Sequence, residues 1–232
     1  MGIKKTLPVV KISGPLSTGR HRLANYLASY FPRAAILSAD VARACGQGNP
    51  ATIAQLEWRH LLAGDHDPRQ MFSGINNRDC HNALQQRFDY LARHVPGRTD
   101  LLIVIGEADV MNDVCIQQHR TGSTSTSSYT VAKIFLDAAL ESRTHRAAQL
   151  GFLGVTDSAE TRKIITQHIL DMRMRDFAVL NDSSTLGWHK MEADRASSTS
   201  ELHQLALGKV MIGLEQAVAA GQIQRKPAIA LK

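Results

Sequence analysis

No stretch of the 232 residues runs apolar for the roughly 18 positions that a membrane-crossing helix needs. A helical span is therefore excluded from the reading. The first eight residues, Met1-Gly2-Ile3-Lys4-Lys5-Thr6-Leu7-Pro8, hold no apolar core of the kind a secretory leader needs, so the chain is expected in the cytoplasm. Cysteine is scarce. Cys45, Cys80 and Cys115 are odd in number, far apart and without a C-x-x-C pair, which argues against a disulfide framework or a zinc site. The ten histidines form neither H-x-x-x-H nor H-E-x-x-H, so no metal is assigned to them. Aromatic residues make up only 5%, and no dense arginine run is interleaved with them, so a dedicated nucleic-acid surface has no signature here.

What remains is an ordinary globular composition, 44% hydrophobic and 21% charged, in a chain long enough to bury a core. The net charge of +6 fits a site that holds several phosphates as well as it fits nucleic acid. Scattered arginines suit the former, but composition alone does not separate the two; the partner expected from the chain as a whole is a small-molecule phosphate acceptor, such as a nucleotide. Neither a membrane nor a nucleic acid is the expected one.

The order of elements is more informative. Residues 7–13 read as a strand, with Pro8 at its start. A tight turn follows, Gly14-Pro15-Leu16-Ser17-Thr18-Gly19. Then Leu23, Leu27, Tyr30 and Phe31 recur at helical spacing until Pro32 stops the helix. Residues 34–40 read as a second strand ending in Asp40. Residues 41–98 read as helical, broken by Gly46-Gln47-Gly48-Asn49-Pro50 and Gly64-Asp65-His66-Asp67-Pro68. Leu101-Leu102-Ile103-Val104-Ile105 is a continuous apolar run, the mark of a parallel strand covered on both faces. The Ser/Thr-rich segment 121–128 reads as a mobile surface loop. Residues 131–136 give a fourth strand, 140–175 a long helical region, 177–180 a fifth strand, and 201–219 a last amphipathic helix. Trp188-His189 reads as packing at the domain edge. The alternation predicts one α/β domain over 1–220, with a parallel sheet and helices on both faces, and a loose tail over 221–232. In such sheets ligands sit beyond the carboxyl ends of the strands. That rule groups the 14–19 turn, Asp40, Glu107, Asp109 and Asp137 as candidates.

The turn lies between a strand and a helix, the context that gives the G-x-x-x-x-G spacing meaning. Glycines allow consecutive backbone N–H groups to converge on phosphate oxygens, and the following helix adds its positive end. Gly14, Pro15, Leu16, Ser17, Thr18, Gly19, Arg20 and His21 are thus the candidate phosphate cradle. The alternative is a tight connection with no ligand. A P-loop continues with Lys and then Ser or Thr; this chain has Arg20 and His21. Arg20 keeps the charge in a wider group, and His21 cannot offer Mg²⁺ a hydroxyl oxygen.

Further motifs follow in order: Ile105-Gly106-Glu107-Ala108-Asp109; then Lys133-Ile134-Phe135-Leu136-Asp137-Ala138 trailed by Arg143 and Arg146; then Asp171-Met172-Arg173-Met174-Arg175; then Val179-Leu180-Asn181-Asp182-Ser183-Ser184-Thr185-Leu186-Gly187. Over residues 9–187 the chain resembles the cytidylate kinase-like branch of the nucleoside monophosphate kinases, which belong to the P-loop kinases. The resemblance implies a three-layer fold with a five-stranded parallel sheet, ATP as donor with Mg²⁺, and an acceptor-binding helical region at about 41–98. It also implies a lid at about 147–172, and Arg143, Arg146 and Arg173 or Arg175 approaching the phosphates. The family usually carries an arginine where this chain has Glu107. Ser38-Ala39-Asp40-Val41-Ala42-Arg43 adds a fainter similarity to dephospho-coenzyme A kinases.

Phosphoryl transfer is largely positioning and charge neutralisation. Arg143 and Arg146, three apart on one helix face, suit that work or form a solvated face. Asp40 is placed either as a base for a hydroxyl acceptor or as an N-cap for the next helix. Glu107 and Asp109 either hold a Mg²⁺-bound water or solvate a loop. The function expected from these residues is ATP-dependent phosphotransfer to a nucleoside monophosphate or related molecule. The alternatives are a nucleotide-binding protein that has lost catalysis and a dephospho-coenzyme A kinase-like enzyme.

Overall fold

A computed structural model describes residues 3–14, 18–38, 99–106, 119–121, 124–139, 141–142, 187–194 and 199–230. The apolar run of residues 101–105 forms β3 (Leu101–Ile105), and all five residues are buried, as expected of a strand covered on both faces. On one side it pairs in parallel with β2 (Ala34–Ser38), on the other with β1 (Ile3–Ser13). β1 also pairs in parallel with β5 (Thr124–Asp137), which in turn carries β6 (Trp188–Glu192). The five parallel strands run β2-β3-β1-β5-β6. A short antiparallel strand, β4 (His119–Thr121), joins the early part of β5.

Several sequence expectations need correction. Of the segment read as a mobile loop, Thr121 ends β4 and residues 124–128 open β5. Its serines and threonines are not solvating a loop: Thr126 is buried, and Thr6 Oγ1 and Ser127 Oγ share a hydrogen bond of 3.1 Å across the strands. β-Branched threonine suits extended backbone, and paired hydroxyls satisfy each other there. β1 is correspondingly longer than expected, and Pro8 lies inside it rather than at its start. The ladder to β3 begins only at Val9, so Pro8 falls where that side of β1 is still unpaired. Trp188 and His189 belong to a strand, β6. It was hidden by its edge position, where only Met191 among five residues is buried. The strand expected over 177–180, the helical region over 41–98, all but residues 141–142 of the helical region over 140–175, and the lid over 147–172 lie outside the described residues.

Helix α1 (Arg20–Tyr30) and helix α2 (Thr199–Ala219) cover one face of the sheet. In α2 the buried positions are Leu202, His203, Ala206, Val210, Leu214 and Ala217, at helical spacing. They meet Leu23 and Leu27 of α1 and a strand layer of Val10, Ile12, Ile103, Ile134 and Leu136. Each valine, leucine or isoleucine among them contributes about 1.5–3 kcal/mol when fully buried. Helix α2 comes close to the sheet at Gly213, where an added Cβ would stand 1.9 Å from the Val131 carbonyl oxygen. Val131 is the extra residue of a β-bulge, since Val9 faces Thr130 and Val10 faces Ala132. The bulged strand meets α2 at a position where only glycine fits.

The tail expected to be loose is tied down as far as residue 230. Gly221 adopts a left-handed φ of 68°, and the Gln222 N–H returns to the Ala217 carbonyl at 2.8 Å. Ile223 is buried, Lys226 pairs with Glu215 at 2.8 Å, and the Ala230 N–H donates to Tyr30 O at 2.9 Å.

Candidate functional site

The carboxyl ends of the parallel strands gather the expected turn. β1 ends at Ser13, and Gly14 follows with φ 137°, a left-handed value that L side chains rarely adopt. An added Cβ there would stand 2.1 Å from the Leu136 carbonyl oxygen of β5. Conformation and space thus both demand glycine. At Gly19 the demand is conformational alone: φ is 94°, with open space around an added Cβ. Gly19 is the N-cap of α1; it brings no side-chain cap, and the first turn of the helix has no acidic residue. Gly19 itself therefore adds neither a side-chain acceptor nor a negative charge to the positive end of the helix.

Arg20 opens the helix and is buried, 4% exposed; Thr18 is buried as well. His21 does not project freely. Its Nε2 and Ser38 Oγ share a hydrogen bond of 3.1 Å, tying the start of α1 to the end of β2. Ser13 contributes a fully buried hydroxyl that finds no hydrogen-bond partner among the described residues, directly at the entrance to the turn. A buried orphan hydroxyl costs about 1–3 kcal/mol. At the end of β3, the Gly106 N–H donates to Ile12 O at 3.1 Å and holds that strand end against β1.

The structure therefore brings together Gly14, Thr18, Gly19, Arg20 and His21 from the expected set. Pro15, Leu16, Ser17, Asp40, Glu107, Asp109, Arg143, Arg146, Arg173 and Arg175 lie outside the described residues. Asp137, grouped with the candidates as a strand end, is committed to structure. Its Oδ1 accepts the Ala138 N–H at 2.9 Å, its Oδ2 pairs with Lys190 Nζ at 3.1 Å, and its carbonyl accepts the Ala193 N–H.

Sequence reasoning missed Ser38 and the cations on the sheet face turned away from α1 and α2. There Lys11 is buried and lies in register with Lys133, which lies in register with Trp188. Lys133 Nζ sits 5.8 Å from the centre of the Trp188 ring, and burial pushes its amine below the ordinary lysine range. The available signal was a charged residue interrupting an apolar strand, twice.

A P-loop ordinarily addresses Mg²⁺ through a hydroxyl at the His21 position. The described residues do not fit that ion. Imidazole stands in place of the oxygen ligand, and its Nε2 is engaged with Ser38. Among the described residues no three His, Cys, Asp or Glu side chains cluster as a metal site.

The strand order, the glycine turn after β1 and the helix that follows define an α/β fold of the P-loop kinase type. The chain superposes on a gluconokinase from Sinorhizobium meliloti 1021 with a TM-score of 0.50 at 12% identity, covering 93% of this chain and 98% of that one. TT1252 from Thermus thermophilus matches with a TM-score of 0.49 at 16% identity, covering 90% of this chain and 99% of that one. The tunicamycin resistance protein of Deinococcus radiodurans matches with a TM-score of 0.40 at 16% identity, over 97% and 99% of the two chains. At these identities the likeness to the gluconokinase speaks for the fold. No protein-family model matches the chain, and no curated protein does.

Proposed function

We propose that the chain is an ATP-dependent phosphotransferase whose donor phosphates lie on the 14–19 turn and whose acceptor is a nucleoside monophosphate or a related small molecule. The observation that carries this reading is the pair of left-handed glycines, Gly14 and Gly19, bracketing a turn between a central parallel strand and a helix whose N-cap is itself a glycine. The same fold in a protein named as a gluconokinase supports a kinase over other uses of such a turn.

In this proposal the backbone N–H groups of the turn and the start of α1 hold the phosphates, with Arg20 beside them. Arg143, Arg146 and Arg173 neutralise the charge that develops during transfer, which is the main task of such a site. Asp40, two residues beyond the end of β2, accepts the proton if the acceptor is a hydroxyl; a phosphate acceptor needs no base. Glu107 and Asp109, just past β3, would reach a cation only through water. A second reading, a nucleotide-binding protein without turnover, is favoured by one observation: the His21–Ser38 hydrogen bond where a metal-ligating hydroxyl belongs.

A coupled assay for nucleotide-dependent ADP release tests the first reading with CMP, dCMP, UMP, AMP and dephospho-coenzyme A. Turnover with at least one acceptor is expected. Tight ATP binding with no turnover on any of them selects the second. Arg20→Ala is expected to weaken ATP by about ten- to a hundredfold, as loss of a charge-assisted contact does. Unchanged affinity in that variant overturns the assignment of the turn.

A further inference from the structure

The place from which a P-loop helix addresses its cation is closed in this chain by a contact between two side chains. His21, the second residue of α1, reaches across to Ser38 at the carboxyl end of β2, with 3.1 Å between Nε2 and Oγ. Ser38 is 2% exposed, so the hydrogen bond is sheltered from competing water. Mg²⁺ asks for oxygen ligands in a near-ideal octahedron and gives up its waters reluctantly. An imidazole nitrogen suits softer divalent ions and is a poor ligand for this one. The hydroxyl that β2 does bring to this corner is already engaged with the imidazole. Positive charge at the turn comes instead from the chain itself: Arg20 at the first helical position, and a helix N-terminus whose own first turn holds no acidic residue.

We infer that polyphosphate is held at the 14–19 turn with little help from Mg²⁺, and that the His21–Ser38 pair is what removes the ion from the helix side of the site. The inference rests on the proposed reading of the turn as a nucleotide site and adds a property that this reading does not require.

Isothermal titration of the full chain with ATP, once with EDTA and once with excess Mg²⁺, measures the ratio of the two affinities. The wild type is expected to bind both forms within about threefold. His21→Ser, which restores a hydroxyl, is expected to bind Mg·ATP at least about tenfold more tightly than free ATP. Ser38→Ala breaks the pair without adding an oxygen ligand and is expected to stay indifferent to the metal. A wild type that gains tenfold or more from Mg²⁺ overturns the inference, even if neither variant folds. So does a His21→Ser protein with a native circular dichroism spectrum and an unchanged ratio. Binding of neither form by the wild type removes the nucleotide reading itself, an outcome distinct from metal-dependent binding.

Discussion

The two rims of the sheet are built on opposite lines. At the amino-terminal rim polar groups cancel one another: Arg33 Nε pairs with Asp100 Oδ2 at 3.2 Å, the Asp100 N–H donates to Arg33 O at 2.9 Å, and Lys5 Nζ donates to Thr99 O at 2.9 Å. At the carboxyl rim the backbone takes left-handed values at Gly14 and Gly19, a helix begins without a side-chain cap, and a serine hydroxyl lies buried without a described partner. One rim is finished; the other carries conformational cost that the rest of the fold must offset. Strain of this kind persists where surrounding structure over-determines it, and it clusters at sites that bind.

The comparison breaks most visibly at Gly14. Gly14→Ala places a methyl group 2.1 Å from the Leu136 carbonyl oxygen at a φ of 137°. The expected cost is about 3 kcal/mol or more in stability, with loss of measurable ATP affinity, read by denaturant unfolding and titration. A variant as stable as the wild type that still binds ATP would show that the carboxyl rim is no more demanding than the other.

A middle-sized effect belongs to neither rim. His203 of α2 is buried with its ring 4.6 Å from that of Tyr26. Burial first, and Arg22 second, hold its pKa below the ordinary value of 6.5. The unfolded chain then takes up the proton more readily than the native one. The stability due to neutral His203 is present above pH 6.5 and lost as the pH falls through the depressed value. The melting temperature should therefore drop on acidification, and less steeply in His203→Gln. ATP affinity should be the same in the two proteins at pH 7. The smallest effect is expected at the amino-terminal rim. Arg33 is well exposed, so Arg33→Ala should cost about 0–1 kcal/mol and leave ATP titrations unchanged.

Much of this was legible in the chain. Leu101–Ile105, the helix after Gly19 and the spacing from Leu202 to Ala217 follow directly from apolar periodicity. The glycine turn after β1 was legible because two glycines stood between a strand and a helix. The first half of β5 was not, because serine and threonine read alike in a loop and in a strand whose hydroxyls pair across the ladder. β6 was not, because an edge strand shows little burial to impose a pattern. Ser38 escaped because its role exists only once β2 and α1 are side by side. Spacing along the chain carries no trace of such a meeting.

The close fit of Gly14 beneath Leu136 sets an order of events during synthesis. β1 is synthesised before β5, yet its partner along its whole length is that later strand. Until that distant strand has docked, the Leu136 carbonyl does not press on Gly14. A chain stalled before β5 is complete would already contain every residue of the turn and lack this contact. The geometry at Gly14 is then a late product of folding, because it waits on a pairing between strands far apart in the chain.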